Sequence, residues 1–314
     1  MNDEYEVNQK LTLQGGLRYN RFILDADFDT TFYPFPFTQA NINNGALTGS
    51  LGGVIRPTDR FVIKLNAGTA FRSPNVDDIG KVFDSEPGAV TVPNPDLKAE
   101  YAYNFDVGMA KVFDDFLKLD VTAYYTILRN ALVRRDYTLN GEDSILYEGV
   151  LSRVQALQNA AKARVYGLQF GMEVKFNEKL NLSSDLNIQK GEEELDDGST
   201  SPSRHAAPLF GTTRLTYQMD KLHLQLYANY QGTQKAEGLA VEERRKDEIY
   251  ARDTNGNNYA PSWHTINIKA IYQINANFSV SAGIENITDQ RYRPYSSGIS
   301  GPGTNYIISL RGHF

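Results

Sequence analysis

The chain has 314 residues, of which 41% are hydrophobic and 22% charged, and this composition gives no sign of disorder. It contains no cysteine, which excludes disulfides and thiolate chemistry, and its net charge of −6 argues against a nucleic-acid partner. No run approaches the roughly 18 uninterrupted apolar residues of a transmembrane helix. Membrane strands are half polar, so this criterion does not detect them. The amino-terminal residues show neither a basic nor an apolar signal region, so we expect a mature chain or a fragment.

Alternating segments, taken in chain order, dominate the sequence. Six short polar turns separate them in pairs, at residues 8–10, 57–60, 113–116, 177–179, 219–221 and 275–277. After the first turn, Leu11, Leu13, Leu17 and Tyr19 alternate with polar residues, with the period of two of a strand that has one apolar face. The second strands of the hairpins are predicted at 46–56, 99–112, 160–176, 208–218, 263–274 and 304–314. No helical period competes, so we predict about twelve antiparallel strands.

The connections at the other end of these hairpins are long and rich in Gly, Pro, Asp and Asn. They comprise residues 27–45, 73–98, 130–158, 190–207, 232–262 and 287–303. Tight turns at one end, long loops at the other, strands of about 9–11 residues or more, and aromatic residues near both strand ends are typical of outer-membrane barrels. The sequence therefore favours an all-β, antiparallel up-and-down transmembrane β-barrel over a soluble all-β adhesion module.

Four segments and the last residue carry a family resemblance. The segments are Ala70–Ile79, Val92–Glu100, Arg204–Pro208 and Ala282–Tyr292, and the last residue is Phe314. Together they resemble the carboxy-terminal barrel half of TonB-dependent receptors. The resemblance implies a barrel of about 22 strands with a plug domain in its lumen. It also implies energy coupling through the TonB complex, and a role for Phe314 as the signal that addresses the barrel assembly machinery.

About twelve strands can supply only part of such a barrel. We therefore expect residues 1–314 to form the carboxy-terminal portion of a receptor barrel, with no plug domain in this chain. The alternative is an autonomous twelve-stranded barrel that acts as a passive porin, with neither plug nor TonB.

Two boxes in the second long loop suggest the cargo. The runs Phe71-Arg-Ser-Pro74 and Asn94-Pro-Asp-Leu97 resemble the FRAP and NPNL boxes of haem, haemoglobin and siderophore receptors in this family. Residues 75–93 contain neither His nor Tyr, so this loop offers no axial ligand for haem iron. The candidate ligand-binding residues on this resemblance are Phe71, Arg72, Pro74, Asn75, Asp77, Asp78, Asn94, Pro95 and Leu97.

The remaining candidates for chemistry are few. His205 lies at a loop end where a cargo would arrive, so we add it to the ligand-binding candidates. The run Asp253–Asn258 lacks EF-hand spacing and is interpreted as a Gly- and Asn-rich turn. The charged runs 192–197 and 242–248 are interpreted as solvated loop faces. Since no GxSxG, HExxH or phosphate-binding loop is present, we predict no enzyme activity, no resident cofactor and no metal site.

The sequence thus predicts part of an active-transport receptor in the outer membrane of a Gram-negative bacterium. The expected cargo is a scarce nutrient, most simply an iron compound such as a ferric siderophore or haem. The apolar strand face would meet outer-membrane lipid, and loops 73–98 and 232–262 would help to capture the cargo. Polar side chains expected to face the lumen, toward the plug or the solute, are Arg18, Lys64, Asn66, Asp120, Asp185, Gln225, Lys269, Glu285 and Arg311.

Overall fold

A computed structural model describes residues 2–29, 31, 37–86, 88–159, 162–195, 197–204, 206–241 and 243–313. Strands make up almost all of its regular structure. Besides two single-turn 3₁₀ helices, at Ala236–Gly238 and Glu243–Arg245, the elements in chain order are β1 (Asn2–Asn8), β2 (Leu11–Asp27), β3 (Gln39–Thr58), β4 (Phe61–Arg72), α1 (Val76–Gly80), β5 (Phe83–Glu86), β6 (Ala89–Val92), β7 (Glu100–Phe113), β8 (Leu117–Arg129), β9 (Leu132–Asp136), β10 (Ser144–Tyr147), β11 (Val150–Asn159), β12 (Lys162–Lys175), β13 (Leu180–Glu194), β14 (Thr200–Pro202), β15 (Phe210–Gln218), β16 (Leu222–Gln231), β17 (Ala251–Arg252), β18 (Asn258–Tyr259), β19 (Trp263–Gln273), β20 (Phe278–Glu285) and β21 (Asn305–Gly312).

One large antiparallel sheet organises the chain. Its strands follow the order β1-β2-β3-β4-β7-β8-β12-β13-β15-β16-β19-β20-β21, and β14 adds to the loop end of β13. Strands adjacent in this order are also consecutive in the chain once the loop strands are left out, which is the up-and-down meander that the sequence predicts. All short turns therefore lie at one end of the sheet and all long loops at the other.

Asparagine side chains close three of the short turns. Asn8 Oδ1 accepts a hydrogen bond from the backbone N–H of Lys10 at 2.8 Å. Asn177 and Asn275 make the same bond to the residue two positions ahead, in the turns before β13 and β20. This Asx arrangement lets a short polar segment reverse the chain, and so fixes the register of the hairpins.

The sheet differs from its prediction mainly at the start of the chain. β1 precedes the first predicted strand and pairs with β2, with Tyr5 opposite Leu13. β1 is acidic and has only two apolar residues, Tyr5 and Val7, which are too few to predict a strand by alternation. β2 has 17 residues and ends at Asp27, and β3 has 20 residues and begins at Gln39, within the predicted loop 27–45, so this hairpin projects beyond the pairing of β3 with β4.

The two faces of the sheet differ as the alternation predicts. On one face, large apolar side chains lie in the open: Leu17, Leu51 and Ile308 are 60%, 73% and 81% exposed. A soluble protein rarely leaves a continuous apolar surface of this kind uncovered, so this face suits contact with hydrocarbon.

The opposite face carries charged and polar side chains that pair across strands. Lys118 Nζ lies 2.5 Å from Glu173 Oε1, and Arg214 Nη1 lies 2.7 Å from Asp185 Oδ2. The predicted lumen residue Asp185 thus lies on the polar face. Exposed pairs of this kind contribute at most about 1 kcal/mol each.

Burial is concentrated in the loops, because a single-layered sheet has no second layer against which to form a core. In the loops predicted as irregular, β5, β6, β9, β10 and β11 form a small second sheet. There, residues 89–92 of β6 run parallel to residues 153–156 of β11. Val90, Val92 and Val154 in this sheet are at most 1% exposed.

Among the described residues, no helix combines the length and the apolar character needed to cross a membrane.

Candidate functional site

The predicted box residues meet at the loop end of β4 and β7. Arg72 ends β4 on the polar face and donates through Nη2 to both carboxylate oxygens of Asp78, at 2.9 and 2.7 Å. Through Nη1 it donates to Glu100 Oε2 at 3.0 Å. One guanidinium therefore joins two wall strands to the first turn of α1, through charge-assisted hydrogen bonds from two of its nitrogens to two carboxylates. We call this group the Arg72 anchor.

A capping box continues the Arg72 anchor into α1. Asn75 Oδ1 accepts from the backbone N–H of Asp78 at 3.0 Å, and Asp78 Oδ2 accepts from the N–H of Asn75 at 3.0 Å. The two residues thus satisfy donors that a helix start otherwise leaves unpaired. Pro74 is buried just before the cap, whereas Asp77 is exposed and takes no part in these hydrogen bonds.

The second box holds the same loop from its other side. Asn94, itself buried, donates through Nδ2 to the carbonyl of Leu157 at 2.8 Å and accepts from the N–H of Asp96 at 3.1 Å. Leu97 is buried in an apolar cluster that includes Ile79 of α1. The box therefore ties the loop after β4 to the loop strand β11.

Phe71 and Pro95 stand apart from the Arg72 anchor. Phe71 precedes Arg72 in a strand and so points to the apolar face, where its ring lies 6.1 Å from that of Tyr101. This is the position of a membrane-interface aromatic residue. Pro95 is half-buried. The structure thus brings Arg72, Asp78, Asn75 and Leu97 into one assembly, and their contact with a ligand stays a prediction.

Two predicted residues, His205 and Phe314, lie outside the described residues.

A second group, not predicted from the sequence, surrounds Glu243 in the loop between β16 and β19. Its carboxylate is fully buried and accepts from Lys246 Nζ at 2.6 Å, while Arg204 Nε lies 2.8 Å from the same oxygen, Oε1. Oε2 accepts hydrogen bonds from Tyr250 Oη and, at 3.2 Å, from Ser296 Oγ. We call this group the Glu243 cluster, and it joins three separate loops.

The charges of the Glu243 cluster set the ionisation of its members. Burial raises the pKa of Glu243, but the hydrogen bonds from Lys246 and Tyr250 and the charge of Arg204 outweigh it, so the net shift is downward. Burial, then the charge of Glu243, raises the pKa of Tyr295 to about 12, and the pKa of Tyr250 is also raised for these reasons. Near neutral pH the cluster therefore holds an ionised carboxylate beside protonated phenols.

The sequence around Glu243 does not predict this cluster. Glu243 lies in the run 242–248, which has the composition of a solvated face. The available signal was the apolar pair Leu239–Ala240, which is fully buried just before it. The neighbouring run from Asp253 does form the predicted turn, with Asp253 Oδ1 accepting from the N–H groups of Asn255 and Asn257 at 2.8 Å.

A cleft of about 420 Å³ lies beside the Glu243 cluster, between this loop and the last loop. Its lining includes Trp263, Tyr292 and Tyr295, together with Arg291 and Arg293. The rings of Trp263 and Tyr292 are in contact, with centroids 4.5 Å apart. Within the part of the chain that the structure describes, no group of His, Asp and Glu side chains is arranged to hold a metal ion.

Comparison with known proteins gives the family. The family model for the TonB dependent receptor-like beta-barrel matches residues 1–287. The chain belongs to the TonB-dependent receptor family. It is accordingly an outer-membrane protein of a Gram-negative cell. The resemblance carried by the loop boxes and by the run Ala282–Tyr292 is thereby confirmed.

Curated relatives and solved structures agree with this assignment. The chain is 22% identical over 308 residues to a probable TonB-dependent siderophore receptor, PiuA, of Acinetobacter baumannii, covering 92% of this chain and 36% of that protein. It is 24% identical over 283 residues to hemoglobin-binding protein A of Haemophilus influenzae, covering 83% of this chain and 26% of that protein. The chain therefore spans about a quarter to a third of these relatives.

Solved structures share the fold at low identity. The copper transporter OprC superposes with a TM-score of 0.73 at 16% identity, covering all of this chain and 46% of that one. The ferric enterobactin receptor PfeA of Pseudomonas aeruginosa, in complex with enterobactin, gives 0.70 at 18% identity, covering 99% and 44%.

Proposed function

We propose that this chain forms the carboxy-terminal wall and part of the ligand-binding vestibule of an outer-membrane receptor that imports an iron compound. The observation that carries the proposal is the family match over residues 1–287, in a family whose curated relatives here include a siderophore receptor and a haemoglobin-binding protein. The chain contributes a membrane-facing apolar surface, a polar lumen surface and folded loops at one end.

The free edges of the sheet favour a larger barrel. Within the described residues, β1 and β21 each pair with one neighbour only. An unpaired strand edge in hydrocarbon leaves N–H and C=O groups without partners, which costs several kcal/mol per group. We infer that further strands of a barrel of about 22 complete the wall. A plug domain would fill the lumen and pass on the energy supplied by TonB.

The polar face supports an occupied lumen. Its ion pairs, such as Arg214 with Asp185, leave other groups of both signs exposed toward the interior. A plug domain or a passing solute can pair with these groups. The alternative of an autonomous passive porin is disfavoured, because the family consists of TonB-dependent receptors.

Uptake of radiolabelled iron tests the proposal in the native organism. A strain lacking the gene should lose uptake of at least one compound among ferric siderophores and haem, and the intact gene should restore it. A strain that keeps the gene but lacks TonB should also lose this uptake. Uptake that persists without TonB would support the porin, and normal uptake of every iron compound without the gene would remove the iron assignment.

A further inference from the structure

The cleft between the last two loops has the chemistry of a binding site. It lies at the loop end of the sheet, between residues 248–251 and 260–263 on one side and 291–297 with Ser300 on the other. Its volume of about 420 Å³ falls within the usual range for sites that bind small molecules. Larger depressions of about 670 and 760 Å³ lie among leucines and glycines of the wall strands, where lipid would fill them.

The aromatic walls of the cleft are held by contacts inside the protein. The N–H of Tyr295 donates to Gln231 Oε1 at 3.1 Å, at the end of β16. Gly301 approaches the ring of Tyr292 so closely that an added Cβ would lie 2.1 Å from it, and its N–H donates to the Tyr292 carbonyl at 2.9 Å. Tyr292 in turn contacts Trp263. The rings are therefore positioned before any ligand arrives, which lowers the entropy cost of binding.

The charge at the cleft is cationic, although the chain is acidic overall. Arg293 donates through Nη1 to the carbonyl of Glu248 at 2.9 Å, which fixes its position. Arg291 is exposed and makes no hydrogen bond or ion pair with any other described residue. Glu248 is the one carboxylate among the described residues that line the cleft. The described lining of the cleft thus carries two guanidinium groups and one carboxylate, which leaves a net positive charge.

Unpaired donors lie in the same walls. Within the described residues, Trp263 Nε1 and Tyr295 Oη are buried and have no hydrogen-bond partner. A buried donor without a partner is costly, so a native structure retains few of them. An oxygen-bearing ligand in the cleft would bring an acceptor to these walls.

We propose that this cleft binds an anion that carries planar aromatic rings, an inference that rests on the proposed uptake of an iron compound. Aromatic rings stack on Trp263 and Tyr292, and the guanidinium groups of Arg291 and Arg293 pair with the negative oxygens. Two iron compounds present this chemistry: a ferric catecholate and haem with its propionates. A ferric hydroxamate has no aromatic ring and serves as the contrasting probe.

Binding to the full receptor that carries this chain, purified in detergent, tests the inference. The probes are ferric enterobactin, haem and a ferric trihydroxamate. The wild-type receptor should bind at least one of the first two, and Arg291→Gln should weaken that binding about tenfold or more, as expected for a lost charge-assisted hydrogen bond. Arg245→Gln is the matched control, because Arg245 is an exposed arginine in the loop between β16 and β19 and does not line the cleft.

The outcomes separate the inference from the function. Binding of ferric enterobactin alone or of haem alone identifies the source of the aromatic anion, and either result supports the site when Arg291→Gln weakens that binding and Arg245→Gln does not. Equal losses in Arg291→Gln and Arg245→Gln would overturn it, because general electrostatics would then suffice. Binding of the trihydroxamate alone would also overturn it while the uptake function stands. No affinity for any of the three, with intact uptake of another iron compound, would overturn the inference while the uptake function stands.

Discussion

Arg204 Nε lies 2.8 Å from Glu243 Oε1, and this contact joins the segment after β14 to the loop between β16 and β19. The last loop joins the same carboxylate through Ser296. Because Glu243 is fully buried, removal of any one of its partners leaves part of a buried charge uncompensated. The three loops therefore behave as one assembly beside the cleft.

Acid should loosen this assembly. The pKa of Glu243 is lowered in the folded state from its ordinary value of 4.5, so its ionisation stabilises the fold at all pH values above 4.5. That stabilisation is lost as the pH falls through the lower folded value. Emission from Trp263, the single tryptophan of the chain, should stay constant from neutral pH to about 4.5 and change below it.

Glu243→Gln is the control for this pH dependence. It removes the titrating group and leaves Arg204 and Lys246 unpaired, so we expect a loss of about 3–5 kcal/mol in loop stability at neutral pH. The change in emission below pH 4.5 should then vanish. An unaltered acid transition in this variant would assign it to another group.

Two tyrosines of the Glu243 cluster should respond oppositely to loss of their hydroxyl groups. Tyr250 donates to Glu243, so Tyr250→Phe should destabilise the loops by about 1.5–3 kcal/mol. Tyr295 Oη is buried without a partner among the described residues, so Tyr295→Phe should be neutral or stabilising by about 1 kcal/mol. Hydrogen exchange of residues 236–250 measures both. Equal destabilisation would contradict the hydrogen-bond assignment.

The cap of α1 should control the order of the second long loop. Asn75→Ala removes the acceptor for the N–H of Asp78, at a cost of about 0.5–2 kcal/mol. Limited proteolysis within residues 73–98 should become faster. Asp77→Ala, a change at an exposed neighbour without these contacts, should leave the rate unchanged.

The two faces of β3 should tolerate charge unequally. Leu51→Arg places a guanidinium on the apolar face and should destabilise the membrane-inserted protein by about 2–4 kcal/mol if the site lies near the bilayer midplane. Ser50→Arg, the adjacent exposed position on the polar face, should cost far less. Unfolding by urea from lipid vesicles gives both values. Equal costs for the two variants would contradict the assignment of the faces.

Apart from β1, the wall could be predicted from sequence because its period of two repeats from strand to strand and needs no distant information. Even the separation of Phe71 from Arg72 follows from their adjacency in a strand. The loops could not be predicted in this way. The buried carboxylate of Glu243 is compensated by Arg204 from another loop. The sequence near either residue contains no pattern that predicts this contact.

The parallel pairing of β6 with β11 couples two loops in length. Val90 lies opposite Val154 in a register of four consecutive pairs. Losing one residue from either segment would shift that register and turn every later side chain to the wrong side. Insertions and deletions within one of these paired segments must therefore be matched in the other, so the lengths of the two segments should vary together as the receptor diverges among species.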